Sequence, residues 1–227
     1  MLFQDLHQLA ATALIAVGAL LPIVDPLGGA PIYLGMTAGM TPAERLRCAK
    51  LVAINSFLLL AASLLVGAYV LDFFGVSIPA VQVAGGLVVC AIGWSLLTSP
   101  STPSMLDRSS TTATAEAVSE RAFYPITMPL TVGPGAISAA ITLGANPPRG
   151  LRQLLTTSVA HLLGVLIVAI TTYICYRYAE VILRKLGSTG TNALIRLTAF
   201  IVLCIGVQII WNGLRALIGT LLGPTGH

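Results

Sequence analysis

Asp25 is an acidic residue in the middle of an otherwise apolar stretch, LPIVDPLGGAPIY at residues 21–33. A carboxylate in such surroundings can bind a substrate ammonium group, carry a coupling proton or pair with a cation, because an unpartnered charge there is costly. The same carboxylate can also cap the helix that follows it. The sequence leaves all of these roles open for Asp25.

Prolines and glycines interrupt the chain at two places, around Asp25 and in MPLTVGPGAIS at residues 128–138. Proline removes a backbone donor and glycine loosens a helix, so each place predicts two half-helices separated by a break. The N-terminus of a half-helix attracts a carboxylate, and freed carbonyl groups attract an ammonium group or a cation. A zwitterionic amino acid suits both. The alternative is a pair of ordinary kinks, which are common in membrane helices.

Polar side chains in other apolar stretches extend this candidate site. Asn55 and His161 can hydrogen-bond a substrate, or they can simply bond between helices. Gln82 and Arg196 are candidates for gating, and Arg196 can neutralise Asp25, guide a carboxylate, or snorkel to the membrane surface. The candidate substrate-binding residues are Asp25, Pro26, Leu27, Gly28, Gly29, Asn55, Thr131, Gly133, Pro134, Gly135 and His161.

The composition predicts an all-α membrane protein with the lipid bilayer as its surroundings. Hydrophobic residues make up 56% of the 227 residues and charged residues 9%, whereas soluble domains carry roughly 25% charged residues. A net charge of +4 spread along the chain does not indicate nucleic-acid binding. The four cysteines lie far apart, so we expect no metal site or cofactor. We predict six spans, two of them broken: 9–37, 51–71, 78–97, 123–145, 158–178 and 197–218.

The two halves of the chain resemble each other. Pro26 lies 108 residues before Pro134, and Asn55 lies 106 residues before His161. Three spans are an odd number, so the second half must insert upside down, which predicts two inverted three-helix repeats with the first and fourth helices broken. The repeats are residues 1–98 and 121–227, joined by a cytoplasmic linker at 99–120. Eight of the twelve Lys and Arg residues lie on the linker side, which puts both termini outside.

Three motifs resemble the MarC family, also called the small neutral amino acid transporter family. They are PIVDPLGGAPIYLGMT, FGVSIPAVQVAGGLV and MPLTVGPGAIS, in this order. The resemblance implies a six-span inner-membrane protein that moves glycine, alanine and similar amino acids, often outward. Many relatives have Asn at the positions of Asp25 and Gly29, and Arg at that of Gln82, so the resemblance leaves the exact substrate open.

These observations favour a secondary transporter, with a small neutral amino acid bound near mid-membrane between the two broken helices. Glycine-rich backbone leaves room for a small side chain only. The coupling ion, H+ or Na+, and the oligomeric state are left open. A channel-like pore for small polar solutes is the alternative, and a sensor or scaffold also remains. We do not expect an enzyme, because no nucleophile–base pair and no nucleotide-binding GxxxxGK[ST] motif occurs.

Overall fold

The computed structural model describes residues 2–98, 115–145 and 150–221, and within these ranges the chain is helical and has no strand. The first half contains α1 (Leu2–Val24), α2 (Pro26–Met36), α3 (Pro42–Phe73) and α4 (Ile78–Thr98). The second half contains α5 (Ala115–Arg121), an irregular helical segment (Ala122–Thr131), α6 (Pro134–Gly144), α7 (Leu151–Arg177) and α8 (Ala179–Leu221). Most of the predicted linker 99–120 lies outside the described residues, and its last part belongs to α5.

Five of the described helices are long and apolar enough to cross a membrane, and the count becomes six when one bent pair is taken as a span. The bent pair consists of Val118–Thr131 and Pro134–Gly144, which meet at 70°. The predicted all-α membrane fold is therefore confirmed. The predicted first span, 9–37, corresponds to most of α1 followed by α2, with the interruption at Asp25.

Helix α3 begins at Pro42, well before the predicted span that starts at Leu51. Its start is fixed by a capping box: the Glu44 N–H donates to Thr41 Oγ1 at 3.3 Å, and the Thr41 N–H donates to Glu44 Oε2 at 2.7 Å. Pro42 occupies the first helical position, where its missing N–H costs nothing. The charged first turns were predicted as a loop, and that boundary was wrong because capping extends α3 beyond its apolar part.

Helices of one half pack mainly against helices of the other half. Helix α3 packs against α7, and α4 packs along α8. Helix α2 contacts α7 and α8, while α6 contacts α3 and α4, which are the equivalent helices of the first half. These pairings are the same when the two halves are exchanged, as a repeat requires. The inverted orientation of the second half stays a prediction.

Small residues allow the close crossing of α4 and α8. A Cβ atom at Gly86 would lie 2.8 Å from the Gly206 carbonyl oxygen, and one at Gly93 would lie 3.0 Å from the Ala199 carbonyl oxygen. Contacts this short leave no room for a side chain, and helices in membranes use glycine in this way to approach each other. The crossing holds α4 and α8 together beside α2 and α6, where the two breaks lie.

Candidate functional site

The first break is a reversal of backbone conformation at Asp25. Its dihedral angles, φ 43° and ψ 62°, lie in the left-handed region, which Asp tolerates better than most residues. The residue before a proline is also disfavoured in a helix, so Pro26 ends α1 and starts α2. One carboxylate oxygen of Asp25 accepts the Gly28 N–H at 3.0 Å. Asp25 therefore caps α2, and capping uses only part of the hydrogen-bonding capacity of a carboxylate.

The second break, at Val132 and Gly133, also places a proline at the start of a half-helix, but it has no acidic residue before that proline. Gly133 is extended, with φ −84° and ψ 175°, and Pro134 is the first residue of α6. No side chain caps the start of α6, because glycine stands at the position that corresponds to Asp25. Before this break, Tyr124 and Met128 have extended dihedrals, as residues that precede prolines prefer. The first turn of α6 is therefore available to a ligand.

Both breaks line one cavity of about 50 Å³. Its backbone-rich wall is formed by glycines of the two breaks, with Asp25 at one side, and residues of α4 and α8 form the rest of its lining. The residues that line it are Ile23, Val24, Asp25, Gly28, Gly29, Ile32, Val89, Ile92, Leu96, Pro129, Leu130, Gly133, Gly135, Ala136 and Val202. The structure thus brings two segments that lie 108 residues apart to one place, as the sequence predicted.

The size of the cavity limits what can occupy it. A buried water needs roughly 10–15 Å³ of such space, so the cavity holds roughly three to five water-sized groups. Apart from Asp25, the side chains along its wall are apolar, and no described Lys or Arg side chain pairs with the Asp25 carboxylate. The arrangement suits a small solute that carries its own positive charge and has few carbon atoms.

Tyr176 links the two breaks beside the cavity. Its hydroxyl group lies 2.9 Å from Thr131 Oγ1 at the second break, and its side chain is buried. A Cβ atom at Gly29, in the first break, would lie 2.7 Å from the same hydroxyl oxygen. The Tyr176 ring stacks on Tyr33, with ring centroids 4.5 Å apart and an angle of 11° between the planes. One tyrosine thus packs against both interrupted segments.

A family model described as MarC family integral membrane protein matches residues 11–218. The chain belongs to the MarC family. The proteins named UPF0056 inner membrane protein MarC in Salmonella typhimurium and Salmonella typhi are 33% identical to it, over 88% of this chain and 93% of theirs. The relative of the same name in Escherichia coli O6:H1 is 32% identical over the same shares. No solved structure matches the chain.

Membership of the MarC family agrees with the predicted resemblance, the relatives are named inner membrane proteins, and the five or six candidate spans fit a multi-pass membrane protein. Among the predicted site residues, Asp25, Gly28, Gly29, Gly133 and Gly135 line the cavity. Thr131 is buried beside it and also donates to the Ile126 carbonyl oxygen at 2.8 Å. Two other predicted residues, Pro26 and Leu27, line an adjoining apolar groove of about 410 Å³, which shares Asp25 and Val202 with the cavity. Pro134 starts α6 and does not line the cavity.

Asn55 and His161 are not among the cavity-lining residues of this MarC family member. His161 lines a cleft of about 300 Å³, together with Leu64, Asp72 and Gly144. Asn55 lies half-buried on α3. The two residues have matching positions in the repeat, but a matching position puts residues at equivalent places in the two halves and does not bring them to the same place. The structure therefore does not join them to the breaks.

Gln82 and Arg196 also lie away from the cavity lining. The Gln82 side-chain amide donates to Thr142 Oγ1 at 3.1 Å, so it connects α4 to α6. Arg196 is exposed on α8 and does not pair with Asp25. This geometry supports the interhelical role for Gln82 and the snorkelling alternative for Arg196.

Sequence reasoning missed Tyr176, Tyr33 and Thr198. Tyr176 was predicted only as the end of an apolar span, and Tyr33 as part of the broken helix. Thr198 Oγ1 would lie 2.6 Å from a Cβ atom at Gly28, so it packs on the first break from α8. No local sequence signal pointed to Tyr176, because its contact with Tyr33 depends on the packing of α2 against α7.

Proposed function

We propose that this MarC family protein is a secondary transporter of small neutral amino acids such as glycine and alanine, and that it exports them. The observation that carries the proposal is the single small cavity lined by both breaks, with a carboxylate on one side and an uncapped helix start on the other. Transport of amino acids goes beyond what the relatives' names state.

The two sides of the cavity match the two ends of a zwitterion. Asp25 is the acid that lines the wall, so the substrate ammonium group binds there and provides the missing positive charge. Gly135 and Ala136 lie in the first turn of α6, where N–H groups and the helix dipole favour an anion. The substrate carboxylate binds at that end. Half-helix ends at mid-membrane serve the same purpose in other secondary transporters.

The cavity also favours a short side chain. Glycine and alanine have five and six non-hydrogen atoms, close to the three to five water-sized groups that about 50 Å³ admits. In an apolar pocket of fixed size, a difference of one methylene group changes the preference between two substrates roughly 10-fold or more. Val89 and Ile92 on α4 set this limit, because they face the break residues across the cavity.

Flux into proteoliposomes tests the proposal. Purified protein is reconstituted, and uptake of labelled glycine, alanine, serine, valine and leucine is measured with and without a proton or sodium gradient. We expect saturable uptake of glycine and alanine that exceeds uptake of leucine at least tenfold, and dependence on one of the two gradients identifies the coupling ion. Equal uptake of all five amino acids, or uptake no greater than in empty liposomes, contradicts the proposal.

A channel for small polar solutes is the second candidate, because half-helices that meet at mid-membrane also occur in pores. The two candidates differ in exchange. A transporter carries labelled substrate inward faster when unlabelled substrate is present inside, whereas the rate of influx through a channel does not increase. The apolar wall of the cavity, in which Val24, Val89 and Ala136 are buried, favours the transporter over a water-filled pore.

A further inference from the structure

Tyr176 lines a second space, on the Arg45 side of the protein, and its hydroxyl group lies against a residue of the cavity wall. That space is a cleft of about 220 Å³, and its lining residues are Pro42, Arg45, Leu46, Tyr176, Arg177 and Glu180. The hydroxyl end of the same side chain reaches Gly29, which lines the cavity, and Thr131. Tyr176 thus borders the cleft at one side and the cavity wall at the other.

Two interactions contact Tyr176 directly, and two more connect its partner Tyr33 to Glu180 through Arg45. The Tyr176 hydroxyl group bonds with Thr131, and its ring stacks on Tyr33. The Tyr33 hydroxyl group donates to the Arg45 carbonyl oxygen at 2.6 Å. The Arg45 guanidinium group forms an ion pair with Glu180 at 3.1 Å across the mouth of the cleft. The stacked rings and the ion pair are therefore connected through Arg45, and the connection joins α2, α3, α7 and α8.

Among the described residues, the cleft of about 300 Å³ that contains His161 has no buried, stacked tyrosine, because Tyr69, which lines it, is 73% exposed. The cleft on the Arg45 side is therefore the one of the two that a buried, stacked tyrosine borders.

We infer that Tyr176 is the gate between the central cavity and the Arg45 side, with the Tyr33 ring and the Arg45–Glu180 ion pair holding it shut. The inference rests on the proposed transport function and adds to it the residue that closes one end of the route. Opening moves the Tyr176 hydroxyl away from Gly29 and Thr131, which separates α7 from both breaks at once. The conformation described here is the one closed on the Arg45 side.

Cys48 provides a reporter that needs no transport. It is fully buried in the apolar cluster that contains Tyr33 and Tyr176, so an impermeant thiol reagent reaches it only when the gate opens. The test protein is the full chain with Cys90, Cys175 and Cys204 changed to alanine, in membrane vesicles of either orientation. An otherwise identical protein that carries Arg47→Cys and Cys48→Ala marks the Arg45 side, because Arg47 is exposed in the first turns of α3.

We expect slow labelling of Cys48 in the parent protein and labelling at least tenfold faster in Tyr176→Ala, from the side that labels Arg47→Cys. Glu180→Gln removes an ion pair that is partly exposed, so its effect is smaller, at most about fivefold. Unchanged labelling in Tyr176→Ala overturns the gate, and so does faster labelling from the opposite side only. Either result leaves amino acid flux free to be measured, so failure of the gate is distinct from failure of the transport proposal.

A second set of variants covers the case in which Tyr176→Ala does not fold. Gly29→Ala adds a methyl group 2.7 Å from the Tyr176 hydroxyl oxygen but 3.6 Å from the nearest ring carbons. Gly29→Ala therefore forces the gate outward and speeds Cys48 labelling. Adding Tyr176→Phe removes the crowded oxygen, so labelling of the double variant is slower than that of Gly29→Ala. Gly18→Ala, where a Cβ atom meets nothing within 4 Å, is the matched control. If the change in labelling rate of the double variant equals the product of the two single changes, Gly29 and Tyr176 act independently. That result contradicts the contact and with it the gate.

Discussion

Asp25 and Gly28 are joined by a hydrogen bond of 3.0 Å, in which the backbone N–H of Gly28 donates to a carboxylate oxygen of Asp25. The bond makes Asp25 the cap of α2 and fixes its carboxylate in the wall of the cavity. Capping and substrate binding are therefore compatible roles of one side chain. The cap needs only an oxygen acceptor, while an ammonium ligand or a coupling proton needs the charge.

Asp25→Asn separates these two roles. Asparagine caps helices as well as aspartate does and tolerates the left-handed conformation, so we expect thermal stability in detergent to stay unchanged. The charge is lost, and we expect amino acid exchange in liposomes to fall or to lose its dependence on pH. Asp25→Ala, which removes cap and charge together, costs about 1 kcal/mol of stability in addition. Wild-type exchange with an unaltered pH profile in Asp25→Asn would assign the residue to capping alone.

Filling the breaks tests the position of the site. Gly133→Leu adds a side chain at a residue that lines the cavity, where a Cβ atom meets only the Pro129 carbonyl oxygen at 3.1 Å and Ile92 at 3.9 Å. We expect loss of transport with normal membrane insertion, measured by flux and by the amount of protein in the membrane fraction. Gly28→Leu should also abolish transport, since it displaces Asp25 and Thr198.

Gly18→Leu is the control for these two variants, because Gly18 is exposed on α1 with open space around it. Its transport should match that of the unaltered protein. Normal uptake in Gly133→Leu would remove the second break from the site.

Val89→Ala should relax the size limit. Val89 is buried, lines the cavity and packs against Gly135. Shortening it gives space beside the substrate side chain, so the preference for alanine over 2-aminobutyrate, which is larger by one methylene group, should fall by up to about tenfold. Competition of the two compounds for uptake of labelled alanine measures the change. Val66→Ala on the exposed face of α3 should leave the preference as it was, and an equal shift in both variants would argue against a wall at Val89.

The orientation of the chain can be tested with a single cysteine. The distribution of Lys and Arg predicts that both termini lie outside, since eight of the twelve are on the linker side. A cysteine added after His227, in a background without the four native cysteines, should react with an impermeant reagent on intact cells. Reaction only after the cells are opened would show the opposite orientation, in which the Arg45 side faces outward.

The sequence predicted the features that arise from local chemistry. Proline at the first turn of α2 and of α6, with Asp25 or Gly133 before it, was sufficient to predict both breaks, because backbone donors and dihedral limits act within a few residues. The match between the halves predicted that the breaks share one site. The start of α3 was missed because the capping box at Thr41 and Glu44 outweighs the charges that follow it.

The roles of Tyr176 and His161 depended on tertiary packing and could not be read in the same way. Tyr176 reaches the breaks because α2 lies against α7, which no local pattern encodes. His161 faces a cleft at the other end of the helix pair. Periodicity within a span predicts which face of a helix is buried. The position along the helix at which a side chain meets its neighbours depends on how α3 and α7 cross.

Counterflow of labelled alanine tests the central claim most directly. Proteoliposomes loaded with unlabelled alanine are diluted into a trace of labelled alanine, and internal label is followed with time. The account predicts a transient accumulation above equilibrium with alanine or glycine inside, and none with leucine inside, because only a small zwitterion fits between the two breaks. Influx of label that is the same whether the liposomes contain alanine, leucine or no amino acid would contradict it.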